Sequence, residues 1–206
     1  MDQARALLRL HKRKEALSYL TLAIGKDQTN AEAFFQRGYT YAGMDMLEQA
    51  LPDMEKAFKL QPITKHQWAY TTLAFAYASV GQPEKCLEVL TKAIKQFPRD
   101  GSLYKLRADT LCTLNRFPEA IASASDGIRL EPKVSGSYDV RARVYKTCGQ
   151  YDKSIADLTE AIKLEPQQSL LYGSRADVYK RMGKLDLARK DRETADKLAK
   201  ESIVDP

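Results

Sequence analysis

Proline recurs at a fixed distance along this chain. Pro98, Pro132 and Pro166 stand 34 residues apart, and each closes a similar phrase: AIKQFP, GIRLEP and AIKLEP. A fourth phrase, AFKLQP, ends at Pro62, 36 residues before Pro98, which places a two-residue insertion near Lys65 and His66. A recurrence of this length marks a stack of like pieces, none of which can bury its own apolar face without a neighbour. Proline cannot continue a helix and discourages helix in the residue before it, so each phrase reads as a helix end.

Aligned on these prolines, the chain shows columns. A large aromatic column (Phe34, Tyr70, Tyr104, Tyr138, Tyr172) is followed after four residues by a small one (Gly38, Ala74, Ala108, Ala142, Ala176). Three further on comes a large column: Tyr41, Tyr77, Leu111, Tyr145 and Tyr179. Steps of four and three put all three on one helical face. A break follows at Asp45, Gly81, Asn115, Gly149 and Gly183, residue types that tolerate the left-handed conformation ending a helix. A second helical segment then brings a small column (Ala50, Cys86, Ala120, Ser154, Ala188), a large one (Met54, Leu90, Ala124, Leu158) and another small one (Ala57, Ala93, Gly127, Ala161, Ala195). Each unit is expected to be two antiparallel helices joined by a tight turn.

This order of large, small and large residues, a break, and small, large and small residues before proline resembles the tetratricopeptide repeat over nearly the whole chain. The resemblance implies an all-α fold: a right-handed superhelical solenoid of stacked antiparallel helix pairs, forming a single domain over residues 1–206. The units expected are residues 1–30 (partial), 31–66, 67–100, 101–134, 135–168 and a capping unit at 169–202. The register sets Met1 inside the first helix of a truncated unit, which raises the expectation of a longer protein with a leader, anchor or further domain upstream. In the last unit Arg189, Arg192 and Asp196 take apolar places and Lys200 takes that of proline. This is the polar outer face that the end of a stack requires, on a helix expected to run to about Ser202.

The bulk numbers agree with a core-bearing chain: 44% of residues are hydrophobic and 29% charged. No apolar run is long enough to span a bilayer. The net charge of +6 invites a nucleic-acid reading, but 27 acidic residues are interspersed among 33 basic ones, and the dense run His11–Lys14 reads as a solvated turn. Cys86, Cys112 and Cys148 are odd in number and widely spaced, so buried free thiols are expected, which slightly favours the cytoplasm. His11 and His66 have no partner at a metal-binding or catalytic spacing. No phosphate loop, glycine-rich nucleotide turn or nucleophile elbow is present. No enzyme activity, cofactor or metal is therefore expected.

Arg37, Arg107, Arg141 and Arg175 share one column, and sixteen residues later stand Asp53, Ser123, Asp157 and Asp191. In the third unit both places are apolar, Leu73 and Val89. This covariation points to contact between the two helices of each unit rather than to a phosphate ladder. Pro52 falls inside a second helix, either in its first turn or at a kink.

Columns shared by all units build the scaffold, so function belongs where they differ. In the resembled family the first helices line a groove that holds a peptide. The resemblance assigns that role to a stripe beside the core stripe: Phe35, Tyr39, Trp68 and Phe75 as aromatic anchors, then Lys105, Asp109, Arg143, Lys146, Lys180 and Arg181. The implied function is a non-catalytic protein–protein interaction scaffold, and the implied ligand has an apolar anchor and an acidic portion. A clamp for a terminal carboxylate, known in part of the family, is not expected, because Asp109 would repel it and the stripe has no asparagine. RNA binding and self-association are the alternatives, the first disfavoured by Asp109, Asp139 and Asp177 within the stripe.

Overall fold

The computed structural model describes residues 2–60 and 67–204, with side chains up to Glu201. Met1, Pro62 and the insertion expected near Lys65 and His66 lie outside the described residues. Among these residues there are twelve α-helices and no strand, as the columns predict. In chain order they are α1 (Asp2–Arg9), α2 (Arg13–Lys26), α3 (Ala31–Ala42), α4 (Leu47–Leu60), α5 (Gln67–Ser79) and α6 (Pro83–Gln96). These are followed by α7 (Gly101–Thr113), α8 (Phe117–Leu130), α9 (Ser135–Thr147), α10 (Tyr151–Leu164), α11 (Ser169–Arg181) and α12 (Leu185–Val204).

The helices form two compact units, Met1–Gln96 and Phe97–Pro206. In the first, the hairpins α1/α2, α3/α4 and α5/α6 pack side by side. In the second, α7/α8, α9/α10 and α11/α12 do the same. Every hairpin turns through one residue with positive φ: His11, Asp45, Gly81, Asn115, Gly149 or Gly183. The break column is thus a set of left-handed turn residues, and His11 supplies its first member.

Within a hairpin the small columns bring the backbones together. Ala50, Ala57, Ala74, Ala93, Ala108, Ala142 and Ala161 are all buried, with Met54, Leu90 and Leu158 filling the space between them. A close approach is at Gly38, where an added Cβ would lie 2.8 Å from the carbonyl oxygen of Ala50. The proline phrase has a second use in the second unit. Tyr104, Tyr138 and Tyr172 of the aromatic column each donate a hydroxyl bond to the carbonyl of the proline six residues earlier, at 3.0, 3.2 and 3.1 Å. The glutamate before the proline also turns back onto its own hairpin. Glu131 accepts from the Gly101 backbone N–H at 3.1 Å, and Glu165 from the Ser135 hydroxyl at 2.6 Å, both at helix N-termini where carboxylates are favoured.

The arginine column makes the contact that the covariation predicts. Arg37–Asp53, Arg141–Asp157 and Arg175–Asp191 are two-bond pairs with distances of 2.6–2.9 Å, and Arg107 donates to Ser123 Oγ at 2.9 Å. Each paired arginine also reaches the preceding hairpin through Nη1: Arg37 to Thr21, Arg141 to Ser125 and Arg175 to Thr159. A single side chain therefore ties together its own hairpin and the one before it. Pro52 is exposed in the second turn of α4, beyond the first-turn place where its missing N–H would cost nothing. Among the described side chains of α12 only Asp191 and Ala195 are buried, while Arg189, Arg192 and Asp196 face solvent.

Candidate partner-binding surface

Each unit carries its own distinctive surface on its first helices. In the first unit it is aromatic. Tyr39 of α3 and Trp68 of α5 meet edge to face, centroids 5.4 Å apart, and remain 45% and 39% exposed. Both rings rest on Phe35, at 6.5 and 5.1 Å. Phe35 itself is only 1% exposed, so this anchor expected at the surface belongs to the core instead. The stripe runs beside the core stripe at the same helical spacing, and rings from both α4 and α5 pack edge to face against Phe35. Phe58 of α4 packs 6.2 Å from Phe35 and 5.0 Å from Tyr70 of α5, continuing the ring chain inward. Phe75, two turns beyond Trp68 on α5, is 67% exposed and joins none of these ring contacts among the described residues.

In the second unit the surface is charged. Arg143 of α9 donates to Asp109 of α7, and Asp139 of α9 lies near enough to feel Arg143, Lys146 and Lys105. Burial pushes the Asp109 carboxyl above its ordinary range, against the pull of Arg143 and Lys105 and with the help of Asp139. Burial likewise raises Asp139, against Arg143, Lys146 and Lys105. Thus Lys105, Asp109, Arg143 and Lys146 come together, with Asp139 among them. Lys180 and Arg181 lie in the exposed last turn of α11 and join no ion pair among the described residues. Asp177 is taken by Arg192 of α12 at 2.8 Å, a partner that sequence spacing did not single out. With Asp109 and Asp177 neutralised internally, Lys105, Lys146, Lys180 and Arg181 are left as basic groups without an ion pair within 4.0 Å among the described residues.

No group of three or more His, Cys, Asp or Glu among the described residues could hold a metal ion. No helix among them is long and apolar enough to cross a membrane.

Comparison with known proteins finds family models described as tetratricopeptide repeat at residues 31–64, 67–110 and 135–168, together more than half of the chain. The human mitochondrial import receptor subunit TOM70 is 27% identical over 116 residues, which is 54% of this chain and 19% of that protein. The chain therefore spans about a fifth of that relative's length. Among solved structures, a tetratricopeptide repeat protein from Parabacteroides merdae superposes with a TM-score of 0.82 at 22% identity, covering 92% of this chain and 75% of that one. YrrB, a TPR protein with an unusual peptide-binding site, superposes with a TM-score of 0.75 at 19% identity, covering 83% and 87%. At these identities the structural likeness speaks to the fold.

Proposed function

Because the chain belongs to the tetratricopeptide repeat family, a family that mediates protein–protein interaction, we propose that it is a non-catalytic scaffold that binds a peptide segment of its partner on its first helices. The observation that carries this reading is the Tyr39–Trp68 pair. Two large rings from neighbouring hairpins stand part-exposed on a buried Phe35, so they are oriented before any ligand arrives. Rigid, amphipathic aromatic pairs of this kind make strong anchors, because little side-chain freedom is lost on binding. In the second unit, taken by itself, the basic groups without an ion pair within 4.0 Å among the described residues, Lys105, Lys146, Lys180 and Arg181, would suit an acidic segment of a partner on that unit. The import-receptor relative and the peptide-binding neighbour lend this reading support by analogy.

The test is to capture a partner with the native chain, map the bound segment, and titrate that peptide against Tyr39→Ala/Trp68→Ala by calorimetry. Both side chains are half-exposed, so the variant should keep its helical signal and lose at least about tenfold in affinity, the scale expected for removing two aromatic anchors. Unchanged affinity would sink the reading. Capture of RNA in place of protein would replace it with the nucleic-acid alternative.

A further inference from the structure

The arginine column is interrupted in α5, and among the described residues no side chain of that column bridges to the preceding hairpin there. Arg37 spans from α2 to α4, Arg141 from α8 to α10 and Arg175 from α10 to α12, each bonded at both ends. In α5 the same place is taken by Leu73, and the facing aspartate place in α6 by Val89. Neither can hydrogen-bond to the preceding hairpin as the arginines do. An open cavity of about 420 Å³ lies there, floored by Phe58, Tyr70, Leu73 and Val89. It lies between α4, α5 and α6, and its Phe58 also packs on Phe35, the ring beneath the Tyr39–Trp68 pair.

Three lysines and two glutamates rim the cavity: Lys59, Lys85 and Lys92 against Glu55 and Glu88. Glu55 is already engaged. It accepts a 2.7 Å bond from the Tyr77 hydroxyl and lies 3.7 Å from Lys85 Nζ, while burial and this carboxylate hold the Tyr77 phenol well above its usual pKa. Lys59, Lys92 and Glu88 are exposed and have no ion pair within 4.0 Å among the described residues, so three lysines against two glutamates leave the rim with an excess of one positive charge. The floor lacks a free carboxylate, so a cationic guest would be stripped of water without a partner. An apolar guest would gain by burial, and a neighbouring acid would meet the two free lysines.

We infer that this cavity is a second docking site, which takes one bulky apolar side chain of a partner peptide with an acidic residue beside it. A single side chain fits because the space corresponds to one that a long internal side chain bridges in three other hairpins. The open mouth leaves room for the chain that carries it. The inference does not rest on the Tyr39–Trp68 surface.

The probe is acetyl-Phe-Glu-amide, titrated in the millimolar range while backbone amide NMR signals are followed. Saturable shifts are expected at Phe58, Leu73 and Val89. Acetyl-Phe-Lys-amide should bind several-fold more weakly, and acetyl-Gly-Glu-amide should leave these signals still. Leu73→Arg/Val89→Asp rebuilds the pair found elsewhere in the chain, so it should fold and reduce binding more than tenfold. Should that variant fail to fold, Lys59→Ala/Lys92→Ala changes only exposed side chains. It should weaken the Glu probe several-fold and leave acetyl-Phe-Gly-amide unaffected. Absence of shifts at Leu73 and Val89, or shifts confined to Tyr39 and Trp68, would overturn the inference. Equal binding of the Glu and Lys probes would overturn its acidic part.

Discussion

Arg141 holds both oxygens of Asp157 at 2.7 Å and also reaches Ser125 of the preceding hairpin at 3.0 Å. The carboxylate is buried and the guanidinium mostly so. Removing one partner strands the other charge, which typically costs about 3–5 kcal/mol. Asp157→Ala is therefore expected to lower stability by about that amount in urea unfolding. Arg141→Leu/Asp157→Val, which copies the Leu73 and Val89 arrangement, should recover most of the loss. A double variant no better than the single one would mean that the pair itself, rather than the stranded charge, sets the stability.

Two glycines should respond in opposite directions to the same change. At Gly38 of α3 a Cβ would sit 2.8 Å from both the Ala50 carbonyl oxygen and Met54 Cγ. Overpacking of this kind costs about 1–3 kcal/mol, more than the helix propensity gained by alanine. At Gly173 of α11 the nearest atom is Nη1 of Arg192 at 3.6 Å, the far end of a flexible side chain. Gly38→Ala should lower the thermal midpoint, and Gly173→Ala should raise stability by up to about 1 kcal/mol. Equal signs would show that the α3–α4 approach is looser than the Gly38 contacts imply.

The aromatic residues of α3 and α5 separate in the same way. Phe35 is a core residue that touches Tyr39, Phe58 and Trp68. Phe35→Ala is expected to cost about 3–5 kcal/mol. Tyr39→Ala and Trp68→Ala each remove part-exposed edge contacts, worth about 0.5–1.5 kcal/mol apiece. Circular-dichroism melts of the three single variants would check the order. A mild Phe35 variant would return that ring to the list of surface anchors.

Periodic spacing made the hairpins legible because small and large residues repeat at 34 residues wherever two helices must approach. The Arg–Asp contacts were legible through their exchange as a pair. Their third partner was not, since Thr21, Ser125 and Thr159 look like ordinary surface hydroxyls until the preceding hairpin is set beside them. Phe35 illustrates the limit of a stripe. It is one position away from a core column, and its burial depends on Phe58 and Trp68 from two other helices. The cavity beside Leu73 is a consequence of distance between helices, which a column of letters does not carry.

Asp109 and Asp139 give the charged surface a pH signature. Burial raises both carboxyls, with Arg143 pulling the other way on each. Their folded pKa values therefore lie above the unfolded value of about 3.9. Between those values the folded chain binds protons more tightly than the unfolded chain, so these groups favour folding as pH falls and oppose it when ionised. Asp139 has the weaker support, since no hydrogen bond to it is found among the described residues. Asp139→Asn should raise the thermal midpoint at pH near 7, where the partly buried charge is fully present. The advantage should shrink as pH falls through the raised pKa and disappear below about pH 4, where the native carboxyl is neutral in both states. Paired melts across that range provide the measurement. An advantage that grew toward acid pH would mean that Lys105, Arg143 and Lys146 outweigh burial and hold Asp139 in its charged form.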